Sequence, residues 1–66
     1  MKINVEYLKL LLAEQNLTQK RLSKLSGISR QSICNILAKG SCSPTSLIKI
    51  AKALDVEPQE LIKTED

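Results

Sequence analysis

Residues 18–39 read TQKRLSKLSGISRQSICNILAK, and this stretch decides the fold. Thr18 offers a side-chain oxygen to cap a helix over Gln19 to Ser26, in which Leu22 and Leu25 sit three apart. The acid that often completes such a cap is missing, since Arg21 holds its place. Gly27 stops the helix, because glycine enters the left-handed conformation that other side chains resist. Ser29 then caps a helix from Arg30 to about Ala38, whose apolar Ile33, Ile36 and Leu37 fall within one arc of about 100°. The other side of this helix carries Gln31, Asn35 and Ala38, with Cys34 at its margin. Ile28 is expected to plug the angle between the two helices, over the inward faces of Leu22 and Ile33.

Working outward, Asn4 caps a first helix from Val5 to Gln15, with Val5, Leu8, Leu12 and Gln15 on one stripe and Leu11 beside it. Leu10 falls off this stripe, and Asn16 tolerates the left-handed turn that ends the helix. Downstream, Lys39 and Gly40 close the third helix. Ser43 and Pro44 open a fourth, in which Leu47, Ile50, Ala51 and Leu54 give the cleanest amphipathic pattern in the chain. Val56 packs back, and Pro58 starts a last short helix bearing Leu61 and Ile62, beyond which Lys63 to Asp66 are expected to fray. The expectation is an all-α, compact five-helix fold in a single domain over residues 1–66, ordered from about 4 to 63, with an aliphatic core.

The net charge of +3 gains meaning only when divided along the chain. Residues 15–54 contain no acid and hold Lys20, Arg21, Lys24, Arg30, Lys39, Lys49 and Lys52, whereas Asp55, Glu57, Glu60, Glu65 and Asp66 crowd the end. A long acid-free basic block is either a surface that faces a polyanion or a solvated basic face, charge alone favouring neither, and the acidic tail is expected to stay off any polyanion. With no His, and with acids confined to the two ends, general-base or nucleophilic catalysis has no matching set of groups, so no enzyme is expected. Cys34 and Cys42 alone make neither a four-ligand zinc site nor a redox motif, and no metal, cofactor or small-molecule ligand is expected. Without a secretory signal or a long apolar run, the chain is expected to be cytoplasmic, with reduced thiols and no membrane partner.

Two short helices joined by the tight turn Gly27-Ile28-Ser29 form a helix-turn-helix arrangement. A generic helical hairpin would need the same apolar residues but would not call for Gln31, Asn35 and an acid-free surround. Gln and Asn pair bidentately with adenine and Arg with guanine, and Gln31 and Asn35, four apart, share a helix face.

The chain resembles the Cro and phage-repressor-like (lambda-repressor-like) helix-turn-helix regulators over nearly its whole length. The resemblance rests on Leu17-Thr18-Gln19 with Leu22, on Gly27-Ile28-Ser29-Arg30 with Ile33, on Gly40 with Pro44, and on Ile50-Ala51-Lys52-Ala53-Leu54 followed by Val56 and Leu61. It implies a double-stranded DNA operator as partner, with helix 3 in the major groove and helix 2 across the backbone. By the same resemblance Arg30, Gln31, Ser32 and Asn35 read bases, with a phosphate contact equally open to Arg30. Gln19 touches phosphate and braces helix 3, and Thr18, Ser29, Lys39, Ser41 and Ser43 are placed for the DNA backbone.

Two departures stand out. Many members pair an Arg late in helix 1 with a Glu near the end of helix 3, where this chain has Leu12 and Leu37, an aliphatic replacement. One extra residue between Ile33 and Gly40 implies a slightly longer helix 3 or a wider turn after it. The resemblance also implies a homodimer on a two-fold operator, for which Leu10, Leu61 and Ile62 are surplus apolar residues. A steric repressor is the favoured function; an interaction module of the antitoxin or anti-repressor type is the alternative.

Overall fold

The helices begin where side-chain oxygens take over free backbone N–H groups. Asn4 Oδ1 accepts from the Tyr7 N–H at 3.1 Å and Thr18 Oγ1 from Arg21 at 3.1 Å, while Ser29 Oγ accepts from Ser32 at 3.2 Å and Ser43 Oγ from Ser46 at 3.3 Å. Caps of this kind contribute about 1 kcal/mol each. They start α1 (Val5–Glu14), α2 (Gln19–Ser26), α3 (Arg30–Lys39) and α4 (Pro44–Leu54), and all four capping residues are the expected ones. The short α5 (Pro58–Leu61) opens differently, with Pro58 at its start and the Glu57 N–H donating to the Glu60 carboxylate at 3.1 Å. The computed structural model describes residues 1–63.

Helix ends explain how the chain turns so often. Gly27 and Gly40 follow α2 and α3 at φ 75° and 72°, while Asn16 and Asp55 reach φ 55° and 59° without being glycines. After α1 the Leu17 N–H donates to the Leu12 carbonyl at 2.8 Å, and after α4 the Val56 N–H donates to the Ala51 carbonyl at 3.0 Å. Both bonds satisfy end carbonyls and fold an apolar residue, Leu17 or Val56, back onto the core. The extra residue before Gly40 is absorbed by helix, since α3 runs through Lys39.

The core is aliphatic, as expected. Leu8, Leu22, Ile33, Ile50, Leu54 and Leu61 are its largest fully buried side chains, each worth about 1.5–3 kcal/mol relative to full exposure. Leu61 is therefore core, and it is no candidate for a contact with a second copy; Ile62 is half-buried and Leu10 is 53% exposed. Leu25, expected to share the inward face of α2, is instead 50% exposed. The inward stripe of α2 runs through Gln19, Leu22, Ser23 and Ser26, because the two serines turn toward the loop that follows. Gln15 ties two helix ends together, its Nε2 donating to the Leu54 carbonyl at 2.9 Å.

Residues 1–3 are not a loose leader to α1. They run antiparallel to the α3–α4 connection, with the Ile3 N–H donating to the Gly40 carbonyl at 2.9 Å and the Cys42 N–H to the Met1 carbonyl at 3.0 Å. On the other side the Asn4 N–H donates to the Leu61 carbonyl at 2.7 Å and the Lys63 N–H to the Lys2 carbonyl at 3.2 Å. Ile3 is buried by this pairing, and Lys63 is held where fraying was expected. Thr64 to Asp66, the rest of that segment, lie outside the described residues.

Candidate nucleic-acid interface

The turn between α2 and α3 is held by side chains as well as by backbone. The Gly27 N–H donates to the Ser23 carbonyl at 2.9 Å, and the positive φ of Gly27 redirects the chain. Ile28 is 8% exposed, and α2 satisfies both of its backbone groups: the Ser23 hydroxyl donates to its carbonyl, and Ser26 Oγ accepts from its N–H at 3.3 Å. Ser29 then caps α3 one residue later. The angle at which α3 leaves the domain is thus set by one buried apolar plug and two serines, and sequence reasoning singled out only the plug.

With Ile33 and Ile36 buried, α3 turns Arg30, Gln31, Ser32, Cys34, Asn35, Ala38 and Lys39 outward. Gln31 Nε2 donates to Asn35 Oδ1 at 3.4 Å, a long bond that aligns the two amides along one line. Each amide keeps a free donor, and Gln31 keeps its acceptor, so a base edge still meets both kinds of group. Lys39 lies a further four residues along the same face, about 12 Å from Gln31 at 1.5 Å per residue.

The expected site residues fall into three groups. Half-buried Gln19 meets Arg30, Gln31 and Cys34 around one depression, so the start of α2 is beside the start of α3. Ser32, Asn35, Lys39, Ser41 and Ser43 line a second cleft, between the outer half of α3 and the start of α4, where Ser46 and Cys42 join them. Thr18 and Ser29 lie in neither hollow, and their oxygens serve the caps of α2 and α3. The Ser29 hydroxyl also donates to Ser32 Oγ at 2.9 Å, which leaves the Ser32 hydrogen available to an acceptor. Cys34 and Ser46, which sequence reasoning left out of the site, are found by place alone.

The electrostatics of this face are simple. No acid occurs from Gln15 to Leu54, so every charge on α2, α3 and α4 is positive. Burial pushes the Cys42 thiol up from its usual range against a smaller opposing effect of the chain's amino group, so it stays neutral near pH 7. Cys34 is exposed on α3. Among the described residues no helix is long and apolar enough to cross a membrane.

A helix with paired amides on its exposed face, joined to a second helix across a tight turn, defines the class of helix-turn-helix DNA-binding proteins. A family model described as helix-turn-helix matches residues 8–61, from within α1 to the end of α5, and the chain belongs to this family, that of the lambda-repressor-like DNA-binding regulators. Nothing among curated proteins or solved structures matches it.

Proposed function

We propose that the protein is a sequence-specific transcriptional repressor that places α3 in the major groove of a double-stranded operator and blocks a promoter by occupancy. Arg30, Gln31, Ser32 and Asn35 read base edges. Thr18, Gln19, Ser29, Lys39, Ser41 and Ser43 engage the sugar–phosphate backbone on either side. The observation that carries this reading is the outward line Gln31, Asn35, Lys39 on α3, two amides followed by a cation, on a face with no carboxylate.

The line has the polarity that groove entry requires. Amides at the N-terminal half of a recognition helix meet base edges, and a lysine about 12 Å farther on reaches phosphates at the wall of a groove about 12 Å wide. Binding as a homodimer to half-sites about 34 Å apart would double these contacts, with Leu61 excluded from the contact between copies by its burial.

Replacing Arg30, Gln31 and Asn35 together with Ala tests the assignment. Sequence preference should be lost while the far-UV circular dichroism and the melting temperature stay near those of the parent. A preference that survives the triple replacement would overturn the role of α3. A duplex affinity that does not change with salt would favour a protein-binding module of the same fold, since each neutralised phosphate contributes about −0.9 to the log–log salt slope.

A further inference from the structure

The two hollows around α3 are walled mainly by hydroxyls, amides and cations. A third hollow, between the start of α4 and α5, is of another kind. Met1, Pro44, Ile48, Pro58 and Ile62 wall it, and Glu57 is the one charged side chain among the residues that line it. Met1 is 54% exposed and Ile48 45%. Met1 is held in place by its own carbonyl, which accepts from the Cys42 N–H at 3.0 Å. Single exposed apolar side chains are ordinary, but two of them in one groove, with two prolines and Ile62, form a patch of the kind that marks an interaction surface.

The place of the groove bears on its occupant. Ser43 lines the cleft beside the outer half of α3, and Pro44, the next residue, lines the apolar groove, so the groove flanks the surface that faces DNA in the function proposed above. Copies at half-sites about 34 Å apart are near enough to touch, since the Cα trace alone spans 33 Å in its longest direction. A two-fold contact sets the same patch of both copies together. On the other flank of α3, α2 exposes Lys20, Arg21 and Lys24, and such a contact there would bring like charges against each other. The apolar flank carries no such penalty.

The size of the patch narrows the choice further. A stable interface takes about 800 Å² from each partner, more than a sixth of the 4508 Å² surface of this chain, and a groove with two exposed apolar side chains falls short of that. A partner captured from solution would be held weakly, whereas a second copy already seated on the neighbouring half-site is presented at high effective concentration. We propose that the α4–α5 groove is the contact between two copies of the chain on DNA, with Ile48 at its centre, and that the contact is too small to join the copies without DNA. Dimerisation then shows itself as cooperative binding to the operator. The inference rests on DNA binding by α3.

The test uses the full chain and two duplexes, one carrying the two-fold sequence recovered by selection from a random pool and one carrying a single half of it. In an electrophoretic shift titration the second copy of the parent should bind the two-half duplex about 5–150 times more tightly than the first. Ile48→Gln changes neither the charge nor the helical tendency of α4 for the worse, so it should bind the half-site duplex as the parent does and lose that difference. Leu10→Gln alters a comparably exposed side chain on α1, outside the groove, and should keep it. Sedimentation equilibrium without DNA should give the mass of one chain. Parent copies that occupy the two halves independently, or an Ile48→Gln protein that keeps the parent's cooperativity, overturn the proposal while leaving α3 as the DNA-reading element. A dimer that forms without DNA and persists in Ile48→Gln overturns it as well, as does a selection that recovers only a single half-site. A selection that recovers no sequence overturns DNA reading itself.

Discussion

Replacing Ser23 with Ala should lower the stability of the domain by about 1–2 kcal/mol without moving any core side chain. Ser23 is half-buried on the inward stripe of α2, and its hydroxyl donates to the carbonyl of Ile28 across the turn. Ile28 is only 8% exposed, so water has little access to that carbonyl once the hydroxyl is gone. A hydrogen bond of this kind contributes about 1 kcal/mol net, and an unsatisfied buried acceptor costs about 1–3 kcal/mol. Partial exposure of Ser23 itself lets some solvent in, which places the loss in the lower part of that range. For a domain of this size each kcal/mol corresponds to about 4–8 °C, so the melting temperature should fall by about 4–16 °C in thermal unfolding followed by far-UV circular dichroism. Ser26 makes the longer bond, 3.3 Å from the Ile28 N–H to its Oγ, and Ser26→Ala should cost less. Amide exchange at Ile28 should quicken in both variants. A Ser23→Ala protein that melts within about 2 °C of the parent would refute the claim that this hydroxyl holds the turn.

Other expectations follow from single features of the fold. Gly27→Ala should destabilise by only about 1–2 kcal/mol in urea unfolding, the cost of a left-handed backbone, because an added Cβ meets nothing within 4 Å; a much larger loss would mean that the turn tolerates no side chain at all. N-ethylmaleimide should modify exposed Cys34 before Cys42, whose thiol is pushed up by burial, and the Cys34 adduct should abolish duplex binding in an electrophoretic shift assay. Cys34→Ser should bind as the parent does and resist the reagent; binding by the adduct would place α3 away from the DNA. Leu12→Ala and Leu37→Ala should couple in a double-mutant cycle by about 0.5–3 kcal/mol, and additive effects would show that the two leucines do not replace the usual ion pair through mutual contact.

How much of this could be read beforehand depended on the range of the interactions involved. The caps at Asn4, Thr18, Ser29 and Ser43, and the left-handed turns at Asn16, Gly27 and Gly40, are decided within four or five residues, and each occurs where the local chemistry places it. The aliphatic stripes of α3 and α4 were equally readable, since helical periodicity carries them. Leu25 went astray because α2 has eight residues and one dominant apolar side chain, too little to fix a stripe, and the inward places beside Leu22 belong to serines bonded to the turn. The pairing of Met1 to Ile3 with Gly40 to Cys42 and with Ile62 and Lys63 left no local signal, because it joins segments separated by most of the chain. It also brings Lys2 and Lys63 to the cleft that Lys39, from the acid-free block, helps to line.

The central claim is that α3 reads DNA, and selection of bound duplexes from a random-sequence pool tests it most directly. The parent protein should enrich a short motif repeated with two-fold symmetry, its halves about one helical turn apart, and the Arg30, Gln31 and Asn35 triple-alanine variant should enrich none. A pool that returns unchanged after successive rounds with the folded parent would contradict DNA reading by α3.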